Sequence, residues 1–417
     1  MNLVQTFKEG QKGKNKGLPM GSEMGKISRA IGGIQKKSMH VVASAPKVGK
    51  TTYIDNAYVI EPCVYVMNKN KVIKDKLQTL KKSFDSSEIG QEEYRERVNN
   101  LKSSLIELDI QYYSYEIDRV TKEFDFICHF LNRIYGLSKI KLPKGKTFRK
   151  ENYVPIDSSY LQGMYVFDDT DDQIIPVEKD LEDKIKSIYI NWIVPIFGKY
   201  DSNNQKLQKG LISFHENRNN PTGIRNQLMN HAKKHGNFVE TENRSKGKTY
   251  KRTIGFNADN PNWHCIVILD HCRKLILERQ FNLKQTVDKM SDYFVELRNF
   301  CKFTIVPVIH LNRSMASIDR RKLDGDRIYP MDDDLKETGN LGEDCDYLFT
   351  LFNPNDDKYA LTKHFGDKIR NARGKKLYPD LRTVHLVAGR RADAPQHFRV
   401  NMHGATKSFS DFKLKTD

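Results

Sequence analysis

Long apolar runs are missing from this 417-residue chain. Stretches such as Cys265–Leu269 are far shorter than the roughly 20 residues a membrane-spanning helix needs. The N-terminus also lacks the continuous apolar core of a secretory signal, so the expectation is a cytoplasmic protein with no membrane partner. Cysteine is sparse: six residues, at 63, 128, 265, 272, 301 and 345, with no C-x-x-C pair and no zinc-ribbon spacing. That pattern excludes a disulfide scaffold and agrees with a reducing compartment. Cys63, Cys265 and Cys301 lie in or beside apolar runs and read as core. Acidic charge is in deficit, 53 Asp and Glu against 70 Lys and Arg, for a net charge of +17. Such a surplus favours a polyanionic partner. Nucleic acid is preferred over an anionic membrane surface, because no basic amphipathic anchor stands out.

What is present is organised. Residues 1–16 read as a basic, glycine-loosened arm with a short helix. "MHVVASA" reads as a strand and "CVYVM" (63–67) as a second, with a loop at 44–51 and a helix over 52–59 between them. This order opens a mainly parallel α/β sheet. Residues 69–135 read largely as charged helices, with "NNLKSSLIEL" placed in one of them. "GLISF", "CIVILD", "FTIVPVI", "DYLFTLF", "TVHLVA" and "HFRVNM" read as further strands, and "NFVETENRSKGKTYKR" as an exposed loop or hairpin.

The stretch "SAPKVGKTT" carries the chemistry: Ser44, Ala45, Pro46, Lys47, Val48, Gly49, Lys50, Thr51 and Thr52. An apolar strand feeding a loop that opens a helix at Gly-Lys-Thr aims backbone N–H groups at phosphate oxygens. Lys50 is expected to neutralise the terminal phosphates of ATP and the Thr51 hydroxyl to ligate Mg²⁺. Ser44 stands where the strict motif has glycine. Asp270, closing a run of five apolar residues, is the expected second metal-site residue with Thr51. His231 and His235 have a spacing that suits zinc, but no third ligand is evident beside them, and they read as a solvent-facing helix.

Together these pieces resemble the RecA-like core of DnaB-type hexameric replicative helicases, phage versions in particular. The likeness rests on "GLPMGSEMGKISRAIGGIQKKSMHVVASAPKVGKTT", "IVILDH", "HLNRS" (310–314), "DLKETGNLGEDCD" (334–346) and "LVAGRRADAPQHFRVNMHGATKSF". It covers roughly 17–70 and 260–412. The resemblance implies a RecA-like P-loop fold, with core segments at 17–71 and 206–417 and a largely helical insertion at 72–205. It implies ATP and Mg²⁺, a homo-oligomeric ring of about six subunits on single-stranded DNA, and an arginine finger at Arg391 with Arg390 as a second cation. His310 stands where the family has a sensor glutamine. Asn68 follows the expected second strand, where the family has a water-activating glutamate, and an amide cannot take a proton. Glu216, after "LISFH", is the replacement considered. Channel loops that would track DNA fall at Arg273 and Lys274 and at Arg320, Arg321 and Lys322. The segment before residue 17 is expected to be too short for the family's primase-interacting domain, so the insertion or a separate primase or loader would fill that role, or nothing does. The expected activity is ATP-driven DNA unwinding. The alternatives are a nucleic-acid-binding ATPase without unwinding, or a non-hydrolysing assembly protein, which Asn68 keeps open.

Overall fold

The computed structural model describes residues 16–21, 24–168, 173–201, 203, 205–245, 248–312, 317, 320, 322, 325–335 and 339–413. Its centre is a nine-stranded sheet. In chain order the strands are β1 (Ser38–Ser44), β2 (Glu107–Ser114), β3 (Ile212–His215), β4 (Trp263–Asp270), β5 (Thr304–His310), β6 (Tyr347–Phe352), β7 (Leu381–Gly389), β8 (Gln396–His403) and β9 (Ser408–Asp411). Across the sheet they run β9-β8-β7-β6-β1-β5-β4-β2-β3. The six from β6 to β3 are parallel, and β7, β8 and β9 add an antiparallel meander. β1 and β4 are buried along their whole length, as continuous apolar runs in a doubly covered parallel sheet must be.

Two expectations from the sequence fail here, for one reason. "CVYVM" is not a strand. A helix starts at Lys50–Ile54, passes through a π-turn at Asp55–Ile60 and continues as Glu61–Asp85. Pro62 has no N–H to give to a carbonyl four residues back, and the π-turn sits immediately before it. Cys63, Val64 and Val66 are buried on this helix, so a β-branched run is held helical by tertiary packing. The strand that fills the expected place is β2, from the segment assigned to a helix. Its period-two alternation (Leu108, Ile110 and Tyr112 on one face; Asp109, Gln111 and Tyr113 on the other) is the signal passed over. The central sheet therefore takes a strand from inside 72–205. The remaining pieces of that stretch include the two-stranded ribbon Lys139–Lys141 with Tyr153–Pro155 and the helix Lys179–Ile188. The sequence 236–258 forms the expected hairpin, Gly236–Ser245 with Lys248–Ala258, outside the central sheet.

The helix Arg119–Tyr135 follows β2 and is pinned to the π-turn by a buried ion pair. Lys122 Nζ lies 2.5 Å from Asp55 Oδ2 and 3.1 Å from the Tyr112 hydroxyl, which itself donates to Asp55 Oδ1. Lys122 is 1% exposed. Burial pushes the Asp55 carboxyl upward, against the pull of Lys122. Removing one partner of such a pair leaves a charge uncompensated. Lys122→Met is expected to cost about 3–5 kcal/mol in urea unfolding; a loss below ~1 kcal/mol would mean the pair adds little to the folded state.

Candidate nucleotide-binding site

The parallel strands end on one edge, and the site is assembled from their C-terminal ends. β1 stops at Ser44, whose hydroxyl folds back onto the Ala45 carbonyl at 2.8 Å, so serine is accommodated where the motif has glycine. Pro46 and Lys47 form the exposed tip, and Lys47 takes a positive φ of 63°. Gly49, at φ 104°, turns the chain into the helix. A Cβ there would be strained, and would also fall 2.0 Å from Met402 Sδ on β8. Arg382 on β7 braces the loop from the same side, donating from Nε to the Val48 carbonyl at 3.2 Å.

Lys50 is 7% exposed and has no carboxylate within salt-bridge distance among the described residues. Its ammonium rests on the Ile309 carbonyl at 3.3 Å and on the His310 ring at 3.3 Å. Burial lowers its pKa, with Asp270 and Glu116 pulling the other way. Thr51 Oγ1 donates to Asp270 Oδ2 at 3.0 Å. Asp270 Oδ1 is buried and has no hydrogen-bond partner. A buried carboxylate oxygen left without a donor is costly unless a cation or its water shell takes it up. Two hard oxygen ligands, one of them orphaned, beside a phosphate loop are the donor set Mg²⁺ uses, the rest of its shell being water and phosphate. Thr51 and Asp270 therefore fit the ion.

Glu116 completes the cluster, and the sequence reading missed it. It lies two residues beyond β2, next to β4, and is 43% exposed at the side chain. His271 Nδ1 accepts from the Arg273 N–H at 3.3 Å, which leaves Nε2 to donate to Glu116 Oε1 at 3.1 Å. Burial, then the Lys50 charge, holds the His271 pKa down. Burial, Lys50 and His271 lower that of His310 to about 4. Both imidazoles are neutral at neutral pH, their centroids 4.4 Å apart. Burial works against ionisation of Glu116, but His271 and Lys274 outweigh it and hold the carboxyl below its ordinary value. A carboxylate thus faces the loop lysine across two neutral rings.

The other sequence candidates are dispersed. Asn68 lies on the long helix and not at a strand end. Glu216 follows the edge strand β3, one strand farther out than β2, and caps the helix that starts at Arg119 by accepting its N–H at 2.6 Å. Arg320 is held by Asp334, at 2.6 and 2.7 Å, and by the Tyr329 carbonyl, so its guanidinium is committed within the loop. Lys322 is exposed; Arg321 lies outside the described residues, as do 1–15, 313–316 and 336–338. Arg273 and Lys274 are exposed in the turn after β4, with Lys274 Nζ 3.8 Å from Glu116. Arg218 props this turn by donating to the Lys274 and Leu275 carbonyls. Arg390 donates to the Glu343 carbonyl at 2.5 Å. Arg391 is exposed in the turn between β7 and β8. That turn is at the far end of the sheet: Leu381 pairs with Asn401, next to Met402 at the loop, whereas Gly389 pairs with Tyr347. At ~3.3 Å per residue of strand, Gly389 is about 26 Å from the loop end of β7.

A RecA-like core with its phosphate loop at the centre of a mainly parallel sheet is what the chain folds into. No protein-family model and no curated protein matches it. Solved structures do. One, an ATPase domain, superposes with a TM-score of 0.55 at 13% identity, covering 99% of this chain and 97% of that one. The structure of a DnaB-like replicative helicase and its interactions with primase gives 0.54, also at 13% identity, covering 99% of this chain and 66% of that one. The fold is that of a DnaB-type helicase ATPase domain.

Proposed function

We propose that the chain is the motor subunit of an ATP-dependent, ring-forming DNA helicase that moves along single-stranded DNA. The observation that carries this reading is the convergence of Lys50, Thr51, Asp270, His310 and Glu116 at the ends of neighbouring parallel strands. In it, Lys50 leaves the His310 ring for the phosphates when ATP arrives. The loop amides and the first turn of the helix, which lack intrahelical partners, bind the remaining phosphate oxygens. Mg²⁺ held by Thr51 and Asp270 would offset charge on the terminal phosphates. Glu116 orients the attacking water and takes its proton. His310, in contact with Lys50 and leading into the loop after β5, reports the state of the nucleotide to the DNA-binding segments. Arg273, Lys274 and Lys322 are the cations proposed for the DNA backbone, and Arg320 keeps their loop in shape through Asp334.

Arg391 lies too far from its own chain's phosphate loop to serve it, which supports a finger acting on a neighbour's nucleotide, with Arg390 beside it and about six subunits to a ring. Glu116 supplies the carboxylate that Asn68 could not, and this weakens the non-hydrolysing alternative. The expected outcome is ATP-dependent release of a labelled strand from a forked duplex, lost in Lys50→Ala. DNA-stimulated ATP turnover with no strand release would favour the ATPase without unwinding.

A further inference from the structure

Away from the nucleotide site, at the beginning of β2, three ligand-bearing side chains meet. Asp109 is 3% exposed and points at the end of the helix Pro221–Lys233. Its Oδ2 is 2.5 Å from Nε2 of His231, in the last turn of that helix, and 3.5 Å from Nε2 of His235, just past its end. The ligand atoms of all three lie within 4.8 Å of one another. The histidines do not face solvent as a plain helix surface would; their side chains are 16% and 14% exposed.

The surroundings orient each ligand. His235 Nδ1 is 3.0 Å from Glu107 Oε1, which leaves Nε2 turned inward. Its ring stacks on Trp263, centroids 4.6 Å apart and planes 6° from parallel. Asp109 Oδ1 accepts from Gln111 Nε2 at 2.8 Å, so Oδ2 is the oxygen left for the cluster. Gln111 is held in turn by His215 at 3.0 Å, and Glu107 by Asn260 at 3.1 Å. A carboxylate behind a ligating histidine and an amide behind a ligating carboxylate are the outer contacts that tune metal sites. Two imidazole nitrogens and one carboxylate oxygen suit a borderline ion such as Zn²⁺, at ~2.0–2.2 Å once the ion replaces the shared hydrogen and Asp109 Oδ2 and His231 Nε2 move apart from their hydrogen-bonded spacing.

We propose that Asp109, His231 and His235 bind one divalent transition-metal ion of the zinc class, with water in the fourth position. The ion clips the end of the helix Pro221–Lys233 and the start of the hairpin Gly236–Ser245 onto β2, the strand whose other end leads to Glu116. Its role is structural. Lys206 and Lys209, exposed and close enough to act on Asp109, oppose a cation and keep the affinity moderate.

Glu116, His271 and His310 form a second group of the same ligand types, so the test must separate the two. Metal-stripped full-length protein is titrated with Co²⁺, then with Zn²⁺. One equivalent of Co²⁺ per chain should give visible d–d absorption that Zn²⁺ abolishes, and Zn²⁺ should raise the melting temperature. His231→Gln/His235→Gln should lose both responses while keeping its circular dichroism and nucleotide binding. Glu107→Gln should weaken binding about 10–100-fold, and Glu116→Gln should leave it unchanged. Absence of saturable Co²⁺ or Zn²⁺ binding, its persistence in the double variant, or its loss in Glu116→Gln would each overturn the proposal. In the first case the cluster is a hydrogen-bonded Asp–His pair and nothing more.

Discussion

On the proposed mechanism, Glu116→Gln is expected to slow ATP turnover by about 10²–10⁴-fold, the usual contribution of general-base catalysis, while nucleotide binding should stay near that of the unaltered protein. Glutamine keeps the size and the contact with His271 but cannot accept the proton. Glu216→Gln, by contrast, should leave turnover within a few-fold, because Glu216 serves the N–H of Arg119 on the outer side of the sheet. Single-turnover hydrolysis with a fluorescent nucleotide to monitor binding reads both. Near-normal turnover in Glu116→Gln, or a collapse in Glu216→Gln, would reverse the assignment. The His271 and Lys274 contacts lower the Glu116 pKa. Glu116, the proposed base, is therefore ionised at neutral pH and loses its charge only as pH falls through that lowered value. The low-pH limb of the rate profile should accordingly lie below the ordinary glutamate range.

The largest effect is expected at a residue that touches nothing in its own chain's site. An arginine finger contributes about 10³–10⁵-fold to phosphoryl transfer, so Arg391→Ala should reduce turnover on that scale, as Lys50→Ala should. In the proposed ring the two defects fall on opposite sides of one interface. Mixing the inactive proteins should then give rings in which some interfaces hold an intact loop and an intact finger, and part of the activity is expected to return. Lysine is a poor substitute, since it lacks the planar fork of donors, and Arg391→Lys should recover little. Failure of mixing to restore any turnover, or a monomer in the presence of ATP and single-stranded DNA, would defeat the action in trans.

The phosphate loop was legible because its chemistry is local. A strand, a tight loop and a helix start are contiguous in sequence, and Gly49 and Lys50 have few substitutes. Asp270 was legible for a related reason: a buried parallel strand reads as an uninterrupted apolar run, and the acid at its end stands out. The parallel core strands after residue 260 followed from similar runs, whereas the antiparallel direction of the last three strands and the strand Ser408–Asp411 did not. The second strand did not. "CVYVM" has every local preference of a strand and lies in a helix, because the helix begun at Lys50 continues through the π-turn before Pro62 and buries Cys63, Val64 and Val66. β2 alternates apolar and polar residues, and it follows a helix of charged residues, so local composition hid it.

Glu116 lies just beyond β2, a segment that reads locally as helix, whereas Glu216 follows a strand that the sequence does show. Strand order, which no local pattern encodes, sets Glu116 beside His271 and His310 and leaves Glu216 one strand farther out. The same holds for Asp109, far from His231 and His235 in sequence, and for Arg320, whose charge Asp334 takes up. The chain's local chemistry thus determined the strand, loop and helix start at 38–54 and where its strands of highest burial run. Which carboxylate lies beside His271 and His310, which cations stay available, and which histidines meet an acid depended on long-range packing, because each requires groups distant in sequence to be brought within a few ångströms.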